Sequence, residues 1–385
     1  MKNFVLVLLF IALTALCWGV YGPVLRVGQA GMATAEATHP PHLKPFICVG
    51  VAYFLIAIVV PSILLHFRGE KGRWTARGTF WSLLSGAAGA IGALGIILAF
   101  ANHGSPILVM PLVFGCAPVV NTFYTMFTSK GHPRPGPLFF AGLIVVAAGA
   151  ATVLVFKPAP ASAKKPAVAE ASKGAKAVAA KDDKAAAGEK DANPVSDAKP
   201  KAPAKESATH RIADMWMVLL FVALTAASWG VYGPVLHKGQ MLMEGSRLRP
   251  LICVGVSYFV IAVLGPVALM QVIVEHGEFT VNGSLWSLAG GAAGALGALG
   301  IIMAFTFGGK PIYVMPLVFG CAPVINTFVS LIGKDVGAIN PIFYSGLIMV
   351  AAGAVTVLVF APKAGHGPAP AKAESAKLNV AEQPA

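Results

Sequence analysis

The sequence predicts an all-α integral membrane protein with ten transmembrane helices arranged as two inverted five-helix repeats. Three observations predict it. The chain of 385 residues is 56% hydrophobic and 12% charged, with a mean hydropathy of +0.74, whereas a soluble globular chain carries about 25% charged residues. Ten apolar runs each reach the length a bilayer requires, about 20 helical residues. The runs also fall into two matching series. Trp18 matches Trp229, and Gly50, Trp81, Met110 and Asn121 match Gly255, Trp286, Met315 and Asn326 at one constant offset.

The first run, Phe4–Pro23, follows Met-Lys-Asn and imitates a signal peptide. Its segment 12–25, Ala-Leu-Thr-Ala-Leu-Cys-Trp-Gly-Val-Tyr-Gly-Pro-Val-Leu, returns with two changes at 223–236. A cleavable leader would not be copied into the middle of a chain, so the run reads as the first span. It ends in Trp18-Gly19-Val20-Tyr21-Gly22-Pro23, where glycine and proline can kink the helix end. Trp18, Tyr21 and their counterparts Trp229 and Tyr232 are read in two ways: as anchors at the membrane interface, or as aromatic walls of a solute site.

The second run, Pro45–Phe67, is followed by the third, Thr79–Ala101, which carries a stripe of small residues: Gly86, Gly89, Gly92 and Gly95. The stripe recurs as Gly290, Gly294, Gly297 and Gly300. Such spacing lets helix backbones approach closely. The fourth run, Pro106–Phe127, contains Met110 to Phe123, which returns at Met315 to Phe328 with Val120 replaced by Ile325. Each copy holds two prolines seven residues apart, Pro111 and Pro118, then Pro316 and Pro323, and an amide three residues on, Asn121 and Asn326. A proline cannot donate to the carbonyl four residues back. These segments therefore read as kinked helices, with the amides either facing a common centre or bonding a neighbouring backbone. The fifth run is Pro137–Phe156, and the second series is Met215–Pro234, Leu251–Val274, Ser284–Phe307, Pro311–Ile332 and Pro341–Phe360.

The domains are thus 1–157 and 215–362. Between them, 158–214 is rich in Ala, Lys and Pro and is expected to be a disordered tether, as is the tail 363–385. An odd number of spans per half inverts the second half if the tether does not cross. Loop charges agree. The loop after the second run carries Arg68, Lys71, Arg73 and Arg77, whereas its counterpart carries Glu275 and Glu278 and no Lys or Arg. This places both termini in the cytoplasm and the tether outside the cell (inner) membrane. The net charge of +13 does not point to nucleic acid, because the basic residues sit in the tether, the tail and short loops. The five cysteines show no metal or CxxC spacing. No His, Asp or Glu cluster lies at membrane depth, so an enzyme is not expected, nor a metal or other cofactor.

Two five-span halves, an opening span ending in Trp-Gly, a small-residue third span running into a Pro-containing fourth and a Gly-rich fifth (Gly142, Gly149; Gly346, Gly353) resemble the drug/metabolite transporter superfamily. The resemblance covers both halves but not the tether or tail. In many EamA-like members a Glu follows the fourth span. Here Ser129-Lys130-Gly131 and Gly333-Lys334-Asp335 stand there, and the Met-Pro pairs Met110-Pro111 and Met315-Pro316 look more like the glucose/ribose-uptake branch. The resemblance implies a carrier moving a small solute through a central cavity by alternating access. The candidate cavity residues are Asn121, Asn326, Pro118, Pro323, Trp18, Tyr21, Trp229 and Tyr232. Amides without an intramembrane carboxylate favour a neutral polar solute such as a sugar. The alternatives are an exporter of amino acids or drugs, and a membrane adaptor acting through its tether.

Overall fold

The computed structural model describes residues 2–34, 40–128, 136–156, 206–332 and 339–360. Most of the expected tether, the tail, Ser129-Lys130-Gly131 and Gly333-Lys334-Asp335 lie outside the described residues. Among the described residues there is no strand. The helices are α1 (Lys2–Gly31), α2 (Leu43–Arg68), α3 (Ala76–Ala101), α4 (Pro106–Thr128), α5 (Pro137–Val155), α6 (Glu206–Leu242), α7 (Leu248–Leu269), α8 (Val281–Thr306), α9 (Pro311–Leu331) and α10 (Pro341–Val359). All except α5 and α10 are long and apolar enough to cross a membrane, 8 helices in all. Phe4, Leu16, Phe67, Ile144, Leu220, Val272 and Phe328 are large, apolar and exposed, as lipid-facing side chains must be. The chain is an all-helical, multi-pass membrane protein.

The helix boundaries differ from the sequence expectation in two ways. Helix α1 continues through Pro23 to Gly31, and α6 through Pro234 to Leu242. Each proline removes one backbone hydrogen bond, but packing along the whole helix outweighs that loss. Trp18 and Tyr21 therefore stand mid-helix rather than near an end. The second difference is the start of α6 at Glu206, ahead of the expected boundary at 215. Residues 206–214 contain no Gly or Pro, so nothing in them stops helix propagation. Helices α4 and α9 each run continuously through both of their prolines.

Close packing follows the glycine stripes. Helix α1 runs antiparallel to α8. Thr14 donates to the Gly297 carbonyl (3.2 Å), Leu25 lies against Gly290, and Gly28 lies against Ser287. Helix α6 repeats this on α3, with Thr225 donating to Gly92 (3.1 Å) and Gly239 against Ser82. A Cβ at Gly92 or Gly297 would collide with the Trp229 or Trp18 indole, which is why these positions must be glycine. Counterpart helices also pack on each other, and they too are antiparallel. In α2 and α7, Gly50 meets Ala262, Tyr53 meets Tyr258 and Gly255 meets Ala57. In α5 and α10, Gly142 meets Val357 and Gly149 meets Val350.

Packing between helices that are not repeat counterparts sorts eight of them into two bundles that exchange members. One holds α1, α2, α8 and α9, and the other α3, α4, α6 and α7. Each bundle takes two helices from each half of the sequence. The bundles meet along α2/α7 and α4/α9, and α5/α10 packs outside the second seam.

Candidate functional site

The two bundles meet around a small cavity. It is lined by Trp18, Tyr21, Tyr53 and Gly294 from one bundle and by Trp229, Tyr232, Tyr258 and Gly89 from the other. Each lining residue on one side has its repeat counterpart on the other, Gly294 with Gly89 included. The volume is about 20 Å³, close to the space that one water molecule requires. The site is therefore closed to anything larger in this conformation.

Local structure explains why aromatics converge here. Trp18 donates from Nε1 to the Gly294 carbonyl (3.3 Å), and Trp229 to the Gly89 carbonyl (3.2 Å). An indole has a single N–H donor, so each tryptophan is fixed by its edge and offers its face. The two indoles stack with centroids 5.8 Å apart. Phe319 lies 6.0 Å from Trp18 and Phe114 lies 5.9 Å from Trp229, continuing the aromatic cluster into α9 and α4. On another wall Tyr53 and Tyr258 stack with centroids 3.5 Å apart and rings 2° from parallel.

These two tyrosines come just before a wide π-helical turn in each helix, Phe54–Val59 in α2 and Val260–Leu264 in α7. Pro61 and Pro266 follow. Neither can donate to the carbonyl four residues back, and the wide turn brings in donors from five residues on instead. The Val60 amide bonds the Leu55 carbonyl, and the Gly265 amide bonds the Val260 carbonyl. Single π turns of this kind are frequent at functional sites.

The Tyr21 and Tyr232 hydroxyls are fully buried and have no hydrogen-bond partner among the described residues. A buried hydroxyl without a partner costs about 1–3 kcal/mol. Two of them lining one cavity are polar groups that a solute can satisfy. No charged side chain lines the cavity.

The structure brings four sequence candidates, Trp18, Tyr21, Trp229 and Tyr232, together in this lining. Asn121, Asn326, Pro118 and Pro323 are not in the lining; they lie on α4 and α9, which pack on each other. Both amides are fully buried. Asn326 Nδ2 donates to the Pro106 carbonyl at 2.9 Å, which is the backbone-bonding arrangement weighed from the sequence. Neither amide atom of Asn121 has a partner among the described residues. Sequence reasoning missed Tyr53 and Tyr258. They stand at the same offset as Gly50 and Gly255, and a tyrosine pair in the middle of matched apolar runs was the available signal.

Sequence reasoning also treated Glu275 as a plain loop charge and gave Glu70 no role. Each is a buried clasp. Glu70 Oε1 accepts from the Arg247 amide (2.8 Å) and Arg247 Nε (3.0 Å), and Oε2 from Ser246 Oγ (2.6 Å) and the Leu248 amide (3.0 Å). Glu275 Oε1 accepts from the His42 and Leu43 amides, both at 2.7 Å, and Oε2 from the Lys44 amide at 3.1 Å. Each carboxylate therefore caps the N-terminus of the second-span helix of the opposite half, where the helix dipole favours negative charge. Both carboxylate side chains are only 4% exposed. Burial alone would push the Glu70 carboxyl up, but the hydrogen bonds from Ser246, Leu248 and Arg247 hold it below its ordinary value. Comparison with known proteins adds no relative, since neither the protein-family models nor the curated proteins give a match.

Proposed function

We propose that this chain is a ten-helix membrane transporter with two inverted halves. In this reading it carries a small, neutral polar solute, sugar-like in size and chemistry, by alternating access. The likeness to the drug/metabolite transporter superfamily belongs to the same proposal. One observation carries it: a closed, uncharged, aromatic cavity sits where two bundles meet, and each bundle contains helices of both halves. Antiparallel counterparts at α2/α7 and α5/α10 support the inversion, because helices equivalent in sequence then run in opposite directions. Solute sites of inverted-repeat carriers lie at the repeat interface near the bilayer midplane. Two partnerless tyrosine hydroxyls between aromatic faces suit a solute with both apolar and hydrogen-bonding surface. The loop charges support cytoplasmic termini in a cell (inner) membrane.

The test is a thermal-shift screen of the purified protein against neutral and charged metabolites, repeated with Tyr21→Phe/Tyr232→Phe. A neutral polar compound should raise the melting temperature of the wild type and do so less for the variant. Stabilisation by charged compounds alone, unchanged in the variant, would contradict the proposal. In proteoliposomes, an imposed pH gradient without sodium should not drive accumulation, because no Asp or Glu lies in the ten apolar runs to relay protons. Deletion of 163–200 should leave uptake intact, whereas an adaptor acting through its tether would fail.

A further inference from the structure

We infer that Glu70 and Glu275 are the latches of two gates, one at each end of the molecule, and that releasing either opens the seam between the bundles at that end alone. The inference rests on the transporter reading for its purpose, but its geometry is independent of any solute.

Glu70 follows α2 after a single residue, Gly69, whose φ of 61° turns the chain sharply. It is thus tied to the end of α2, which belongs to one bundle. Its hydrogen-bond donors, Ser246, Arg247 and Leu248, lie at the start of α7, which belongs to the other bundle. Arg249 adds a longer contact, with Nη1 3.7 Å from Oε2. Glu275 follows α7 and grips the start of α2, with Lys44 Nζ 3.5 Å from Oε2 and His42 Nδ1 3.1 Å from Oε1. Because α2 and α7 run antiparallel, these two clasps hold opposite ends of the same seam. Tyr53 and Tyr258 stack midway between them, in the cavity wall.

Arg249 Nη1 also donates to the Lys71 carbonyl (3.3 Å) and Lys44 Nζ to the Glu275 carbonyl (2.9 Å) across the same seam. Gln240 Nε2 donates to Thr306 Oγ1 (3.0 Å) and Arg26 Nη1 to the Phe100 carbonyl (2.9 Å), also joining the bundles. Further contacts at each end lie within one bundle. At the Glu70 end, Thr75 Oγ1 donates to the Leu242 carbonyl (3.0 Å) and Arg73 Nε lies 2.7 Å from Glu244 Oε1. Both tie the approach to α3 to the end of α6, which belong to one bundle. At the other end Thr280 Oγ1 donates to the Gly31 carbonyl (2.7 Å) and the Glu278 amide to the Met32 carbonyl (2.9 Å). These tie the approach to α8 to the end of α1, again within one bundle. Among the described residues, each carboxylate gathers most of the hydrogen bonds that cross the α2/α7 seam at its end. With both engaged the cavity between them measures about 20 Å³, too small for a solute.

The test measures distances across the seam at each end by double electron–electron resonance. The full-length chain is placed in nanodiscs, with the five native cysteines replaced by Ala. One spin-label pair is Phe67→Cys with Met241→Cys, at the Glu70 end. The other is Ala30→Cys with Val272→Cys, at the Glu275 end. All four residues are exposed. Glu70→Gln and Glu275→Gln keep shape but turn an NH2 group toward backbone amides that need an acceptor. Glu70→Gln should add a longer-distance population at the first pair only, and Glu275→Gln at the second pair only. Ser246→Ala, which removes one donor to Glu70, should give a smaller shift at the first pair and serves if the glutamine variant folds poorly. Unchanged distances at both ends with a lowered melting temperature would make the glutamates helix caps only and overturn the inference. Equal lengthening at both ends would also overturn it. A chain that transports nothing but shows end-specific opening would fail the transporter proposal and keep the latches.

Discussion

The aromatic cavity and the α4/α9 seam are both built twice, once from each half, and both are buried. They differ in what their polar groups do. In the cavity lining the tryptophan N–H groups are satisfied by glycine carbonyls, and two buried tyrosine hydroxyls are left without a partner among the described residues. At the seam Asn326 spends its N–H group on the Pro106 carbonyl, and Asn121 is sealed without a partner. One region holds polar capacity for a visitor, and the other uses it, unevenly, as glue between helices. Duplication marks residues that the two halves share. It does not tell which of them face space, because that depends on the helical register against the neighbouring helix.

The largest expected effect breaks the cavity from behind. Gly297→Val or Gly92→Val drives a side chain into the Trp18 or Trp229 indole. Overpacking of this kind costs about 1–3 kcal/mol, and the indole also loses its place over the carbonyl. Melting temperature and solute binding should fall together. Gly136→Val, where an added Cβ meets nothing, should change neither.

The second effect separates the two regions. Tyr21→Phe and Tyr232→Phe remove hydroxyls that have no partner among the described residues, so the melting temperature should hold or rise. Solute affinity should drop about fivefold for each, the equivalent of one hydrogen bond worth about 1 kcal/mol. A melting temperature that falls with unchanged affinity would make these hydroxyls structural.

The smallest effect lies at the seam and is asymmetric. Asn326→Ala should cost about 0.6 kcal/mol, typical of an interhelical hydrogen bond in a membrane, with uptake per folded molecule unchanged. Asn121→Ala should cost nothing or stabilise. Equal losses in uptake from both would return the amides to the solute path.

Most of the architecture was legible because it follows from run length and repetition. The helices, the close approach at the glycine stripes and the matched Trp18 and Trp229 were all visible, whereas the helix that each stripe packs on was not. The ends of α1 and α6 were not, because Pro23 and Pro234 read as terminators when each helix had a full-length partner to hold it straight. Tyr53 and Tyr258 were hidden by the uniform apolarity of their runs. Glu70 and Glu275 were hidden for a different reason. A carboxylate in a short loop looks solvated, and only the fold brings the start of the other half's helix to meet it.

The central claim is that the halves are inverted, so that one cavity can face each side in turn. Lys71 and His276 are exposed counterparts in the two matched loops, and they avoid the positive φ of the adjacent Gly72 and Gly277. With Lys71→Cys and His276→Cys in separate cysteine-free chains, a membrane-impermeant thiol reagent is added to intact cells and to inverted vesicles. The account predicts that the Lys71 site reacts from the cytoplasmic side and the His276 site from the opposite side. Reaction of both from the same side would contradict it.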